Sequence, residues 1–106
     1  MRAEDARFVW LFVFFDLPVG TKAERGHATR FRKFLKDDGY IMLQWSVYAR
    51  ICRGKDGAGK HVDRVRKNLP PEGSVRALQV TDRQYASMKL LASKSEREAP
   101  QQFVLL

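Results

Sequence analysis

Residues 8–15, Phe-Val-Trp-Leu-Phe-Val-Phe-Phe, form an unbroken apolar run that Asp16, Leu17 and Pro18 close. A surface helix of that length would carry polar positions every few residues, so the run predicts a strand buried on both faces. Pro18 ends it, because proline has no N–H to give a ladder. Thr21-Lys22-Ala23-Glu24 then has the spacing of a capping box: the threonine hydroxyl accepts from the glutamate N–H, and the glutamate carboxylate reaches back. A helix is predicted from there to about Asp38, with Gly39 as the residue past its end. Ala28, Phe31, Phe34 and Leu35 share one face of that helix, and Lys22, Arg25, Arg32, Lys33 and Lys36 fall on the other.

From Tyr40 to Cys52 the period changes to two. Trp45, Val47, Ala49 and Ile51 alternate with Gln44, Ser46, Tyr48 and Arg50, which predicts one apolar and one polar face. Thirteen residues is long for one strand, so a bend, bulge or tight hairpin is expected inside it. Arg53-Gly54-Lys55-Asp56-Gly57 reads as a basic turn. A second helix follows, with Ala58, Val62, Val65 and Leu69 at helical spacing, ended by Pro70 and Pro71. Ser74–Thr81 reads as a strand, 82–84 as a turn, and 86–92 as a further strand whose pattern also suits a helix. A polar linker, 93–101, leads to the terminal apolar residues Phe103, Val104, Leu105 and Leu106.

Strand, helix, strand or hairpin, helix, strand is the order of a split βαβ arrangement. It predicts a ferredoxin-like α+β domain over 1–92, with both helices on one face of an antiparallel sheet and 93–106 as a linker plus an extra C-terminal strand. The other sheet face needs cover, and a second copy of the chain supplies it most simply, as a symmetric homodimer. Apolar residues at a chain end invite fraying and proteolysis. Phe103–Leu106 are therefore expected to bind a partner, as a strand added to the sheet edge of the dimer mate or another protein.

The 106 residues suffice for one small domain, and 44% hydrophobic content suffices for a core. The formal net charge is +8. It is concentrated: 50–67 holds seven basic and two acidic residues, and 22–38 holds six and three. Such a surplus suits a polyanion, because cations that neutralise phosphates release counterions. The basic helix face, with Arg53 and Lys55 in the turn, is the candidate nucleic-acid surface. A membrane surface fits poorly, since the apolar helix faces are needed for the core. Glu4 and Asp5 precede the first apolar run and no small-residue cleavage site follows it, so it does not read as a secretory signal; it is also far too short to span a bilayer. A cytoplasmic protein is expected, and the lone Cys52 agrees.

Candidate chemistry is sparse. Gly54–Lys60 has glycines and lysines but not the spacing of a phosphate-binding loop, and His27 and His61 fall in helices away from any ligand cluster. Asp16 stands out, as a carboxylate at the tip of a rigid strand. It reads either as a ligand for a hard cation such as Mg2+ or as a turn or cap residue. One carboxylate is little for a nuclease, but two copies across a dimer axis would supply a pair.

Three segments in order, Phe14-Phe15-Asp16-Leu17-Pro18, Met42-Leu43-Gln44-Trp45-Ser46-Val47-Tyr48 and Val80-Thr81-Asp82-Arg83-Gln84-Tyr85, resemble the Cas-two family, the small CRISPR-associated proteins that act with the Cas-one integrase in spacer acquisition. The variant resembles those found beside type II effectors, and the likeness runs from Phe8 to about Leu91. It implies a ferredoxin-like homodimer that bridges integrase dimers and holds duplex DNA. It also implies a magnesium-dependent endonuclease acting on RNA or duplex DNA, with Asp16 as catalytic residue and metal ligand. A toxin-like ribonuclease of the same fold, outside CRISPR systems, is the alternative. Ser46 suits either a supporting role near Asp16 or simple packing.

Overall fold

A computed structural model describes residues 7–93. Strand β1 (Phe8–Asp16) leads into helix α1 (Lys22–Asp37), then β2 (Ile41–Gln44) and β3 (Val47–Arg53), helix α2 (Gly54–Arg66), β4 (Ser74–Thr81) and a short helix α3 (Asp82–Ala86). The sheet order is β2-β3-β1-β4, with every neighbouring pair antiparallel. This is the ferredoxin-like α+β arrangement, with β1 and β3 central and β2 and β4 at the edges.

The capping box forms as the sequence predicts. The Glu24 N–H donates to Thr21 Oγ1 at 3.0 Å, and the Thr21 N–H donates to Glu24 Oε1 at 3.0 Å. At the other end of α1, Gly39 adopts φ +94°, its N–H donates to the Lys36 carbonyl, and the Tyr40 N–H donates to the Leu35 carbonyl. These two bonds satisfy carbonyls that a helix end leaves open, in the Schellman pattern that favours glycine.

The core lies between the helices and one sheet face. Val9, Leu11, Val13 and Phe15 of β1 meet Phe31 and Leu35 of α1, Ala58 and Val65 of α2, and Tyr48 and Cys52 of β3. The strand register decides what faces away. Trp10, Phe12 and Phe14 alternate with those core residues, and their register neighbours are Ile51, Ala49 and Val47 on β3 and Val80, Leu78 and Arg76 on β4. The apolar run of β1 is thus covered by the two long helices on one side only. On the other side Phe12 is shielded, while Ile51 and Leu78 are exposed.

The 40–52 stretch contains the expected break as a hairpin, with β2 and β3 joined at Trp45 and Ser46 and a register shift between Met42 and Gln44. Three sequence expectations need correction. The residues of β3 that read as polar, Tyr48 and Arg50, lie with Cys52 on the helix-covered side, and Trp45 and Ile51 are exposed. The cause is that β1 also carries apolar side chains outward, so alternation alone did not say which side the helices occupy. Lys55 lies in the first turn of α2 rather than in a loop, because the helix starts at Gly54. Residues 82–86 form α3 instead of a turn, and 87–93 form neither strand nor helix. A second capping box, between Thr81 and Gln84, starts α3. Tyr85 then stacks on Trp10 at 4.0 Å, and the Trp10 indole N–H donates to Asp82 Oδ1 at 3.0 Å, which folds α3 over the outer sheet face. The proposed partner-binding segment Phe103–Leu106, and most of the 93–106 linker, lie outside the described residues.

Candidate functional site

Asp16 is the last residue of β1, paired in register with Ser74 at the start of β4, and it is exposed. Its backbone is fixed on both sides. The preceding Phe15 N–H donates to the Ser46 carbonyl at 3.1 Å, across the β2–β3 turn. Gly73, at φ +91°, lies so close that a Cβ there would stand 2.6 Å from the Asp16 carbonyl oxygen and 2.8 Å from Leu17 Cδ2. No other residue fits that turn without displacing the strand end. His27 Nδ1 meets Glu72 Oε2 at 2.8 Å, tying α1 to the loop before β4. The Asp16 carboxylate itself has no hydrogen-bond or ion-pair partner among the described residues. Ser46 thus supports the strand end through its carbonyl.

Among the described residues no group of three or more His, Cys, Asp or Glu side chains could enclose a metal ion. One chain therefore offers a single hard carboxylate at the strand tip. That donor set fits Mg2+, which commonly takes one or two protein carboxylates and completes its shell with water and phosphate oxygens.

The basic residues divide into two groups. Lys22, Lys33 and Lys36 are exposed on α1, and Lys33 pairs with Asp37 at 2.9 Å, leaving Lys22 and Lys36 unpaired among the described residues. Arg25 is exposed, with Nη1 donating to the Val19 carbonyl at 3.1 Å, so it also braces the β1–α1 loop. Arg32 lies over the Trp45 ring, 4.0 Å from its centroid, and 5.3 Å from the centroid of Phe15; its Nε–H donates to the Trp45 carbonyl at 3.4 Å. Arg53 and Lys55 belong elsewhere. Arg53 pairs with Phe8, at the opposite end of β1 from Asp16, a separation of roughly 26 Å at ~3.3 Å per residue. The seven candidate cations therefore do not form one patch around the carboxylate.

Sequence reasoning missed three side-chain groups. The Arg32–Trp45 stack was hidden because thirteen positions separate its members. The Trp10–Tyr85–Asp82 group depends on α3. The third is a polar cluster at the end of α1, where Asp38 is 8% exposed. Asp38 Oδ2 meets His61 Nδ1 at 2.9 Å, Arg64 donates to Oδ1 from Nε at 2.8 Å and from Nη2 at 2.7 Å, and Arg50 donates to the Asp38 carbonyl. Burial alone would raise the Asp38 pKa, but hydrogen bonds from His61 and Arg64, together with their charges, hold it below the usual carboxylate value. Burial also pushes the Tyr40 phenol and the Cys52 thiol up, so Cys52 stays a protonated packing residue at neutral pH. Both histidines are thus helix residues paired with carboxylates.

No described helix is long and apolar enough to cross a membrane. The family model for CRISPR associated protein Cas2 matches residues 9–88. A CRISPR-associated endoribonuclease Cas2 of Acidovorax ebreus is 60% identical over 81 residues, covering 76% of this chain and 79% of the relative. One from Flavobacterium psychrophilum is 42% identical over 103 residues, covering 95% and 90%. One from Paracidovorax avenae is 42% identical over 102 residues, covering 93% and 94%. With this match spanning the sheet, both long helices and the Asp16 strand end, the chain belongs to the CRISPR-associated Cas2 family of nucleases.

Proposed function

We propose that the chain is a spacer-acquisition subunit that dimerises, binds duplex DNA without sequence preference and bridges dimers of the Cas-one integrase, and that it is also a magnesium-dependent endonuclease acting on RNA or duplex DNA. The observation that supports the nuclease reading best is Asp16: an exposed carboxylate, unpaired among the described residues, on a strand end locked by Ser46 and Gly73. Asp16 would hold Mg2+, and its counterpart from a second copy would complete the carboxylate pair. A bound ion would supply charge stabilisation at the phosphoryl group and a more acidic water. The chain's own contribution is to hold the carboxylate's strand end rigid, while cations on α1 draw the phosphate backbone toward that end of the sheet. The family match favours this reading over a toxin-like ribonuclease.

The outer sheet face supports dimerisation. Ile51, Leu78 and the half-buried Phe14, Val47 and Val80 make it apolar, and Ile41 extends it at the edge. A second copy is the economical cover for such a face. Among the described residues the outer edge of β4 has no pairing strand, so Phe103–Leu106 of a partner would have a strand to join.

The test uses the purified full chain, first alone and then with its cognate integrase. RNA and duplex DNA are offered with magnesium and with chelator, and the integrase mixture is resolved by size. Magnesium-dependent cleavage together with a joint complex on duplex DNA supports the whole reading. A monomer that neither cleaves nor joins the integrase overturns it.

A further inference from the structure

Trp45 is 68% exposed at the tip of the β2–β3 hairpin, which leaves a large apolar ring open to solvent. It is also held in place. The Arg32 guanidinium lies 4.0 Å from the indole centroid, the Arg32 Nε–H bonds the Trp45 carbonyl, and the same guanidinium reaches within 5.3 Å of the Phe15 ring. Phe15 is buried, packs edge-on against Phe31 at 5.2 Å, and directly precedes Asp16. The layers therefore run from the core through Phe15, the neighbour of Asp16 on β1, and through Arg32 of α1 to an open indole on the β2–β3 turn.

Given this geometry, we infer that Trp45, backed by Arg32, is a stacking platform for one unpaired nucleobase at the Asp16 end of the sheet. The inference rests on the nucleic-acid reading above and adds the form of substrate: a strand with an unpaired or frayed base rather than a fully stacked duplex. Three features point to a base as the occupant. Every base has a π-face, so a rigid aromatic surface binds bases regardless of sequence. The cation behind the ring answers the phosphate that must accompany the base, in a chain of net charge +8. The platform is preorganised, because Arg32 is bonded to the Trp45 backbone and wedged against Phe15, so little side-chain freedom is lost on binding.

The experiment compares three oligonucleotides on the full chain: a blunt duplex, the same duplex with a three-nucleotide overhang, and the same overhang with its bases removed to leave abasic sugars. The last two carry the same phosphates. Wild type is expected to bind the overhang about 5- to 150-fold more tightly than its abasic twin, the range that stacking of a base on an aromatic side chain supports. Trp45→Ala should abolish that difference and leave blunt-duplex binding unchanged, while Trp45→Phe should restore most of it. Equal binding of the two overhangs by wild type, or an equal loss on all three ligands in Trp45→Ala, overturns the platform and leaves the proposed function standing. A change of oligomeric state in Trp45→Ala also overturns it, by placing the indole between copies of the chain. Failure of wild type to bind any of the three at low salt overturns the nucleic-acid reading itself, and the platform with it.

Discussion

Replacing Leu78 with aspartate should separate the two copies of the proposed dimer while leaving each folded. Leu78 lies opposite Phe12 in the sheet, on the outer face, and is 52% exposed in the single chain. Full burial of a leucine is worth ~1.5–3 kcal/mol, so covering its open half contributes about 1 kcal/mol. A twofold axis counts each residue twice, giving about 2 kcal/mol for the pair. The aspartates add the larger share, since two carboxylates without partners must leave water at a cost of several kcal/mol per ion. The sum exceeds roughly 4 kcal/mol, or about a thousandfold in the dimer dissociation constant. Sedimentation equilibrium over a range of protein concentration reads that change directly, and circular dichroism checks the fold. Ala77→Asp is the control: Ala77 is exposed on the same strand but shares a face with Val13 on the helix side, so the same charge there should leave association unchanged. If Leu78→Asp associates as tightly as wild type, the outer face is not the interface and the reasoning fails.

Two further outcomes follow from the charges. Asp38→Asn keeps the side-chain shape but removes the anion that His61 and Arg64 share, and should cost about 1–3 kcal/mol in urea unfolding at neutral pH and fixed protein concentration. Because Asp38 is held below its ordinary value when folded, its contribution is fully present above the unfolded value of about 3.9 and is lost as pH falls through the lower folded value; the gap between wild type and variant should therefore close only in strong acid, and a gap that closed near neutrality would contradict it. Duplex affinity should fall with salt at a slope of about −0.9 per phosphate neutralised, and Lys22→Ala with Lys36→Ala should flatten that slope by up to about two; a slope unchanged by both would exclude these lysines from the interface.

The sequence made the fold legible wherever one local rule and one tertiary need agreed. The Thr21–Glu24 spacing, the Gly39 stop and the apolar run ending at Pro18 each have one cheap local solution, and the structure adopts all three. Local rules failed where two solutions cost nearly the same. The period of two holds in β3 from Val47 onward, with Trp45 and Ser46 in the turn, yet it did not say which side meets the helices, because Tyr48 and Arg50 can bury their stems as readily as Ile51 its whole side chain. Residues 82–92 were assigned to a turn and strand because Tyr85 meets Trp10 across 75 positions, and that stack is invisible to any local pattern. The same applies to the site. Asp16 was visible because a charge abruptly ends an apolar run. Trp45 with Arg32, and Asp38 with His61 and Arg64, became visible only once the hairpin and the two helices were in place. The reverse also held: Arg53 and Lys55, grouped by sequence with the α1 cations, sit at the far end of the sheet from Asp16.

The central claim is that the carboxylate at the end of β1 makes this chain a metal-dependent nuclease without being needed for nucleic-acid binding. The most direct measurement is cleavage of RNA and of duplex DNA by wild type and Asp16→Asn, with magnesium and with chelator, alongside duplex binding and integrase-dependent integration on the same preparations. Asparagine preserves size and removes the charge that would hold the ion. Wild type should cleave only with magnesium, and Asp16→Asn should cleave slower by orders of magnitude, as expected when stabilisation of developing phosphoryl charge is lost. Binding should be equal or slightly tighter in the variant, and integration intact. Cleavage by Asp16→Asn at the wild-type rate, or integration lost in a folded Asp16→Asn protein, would contradict the account.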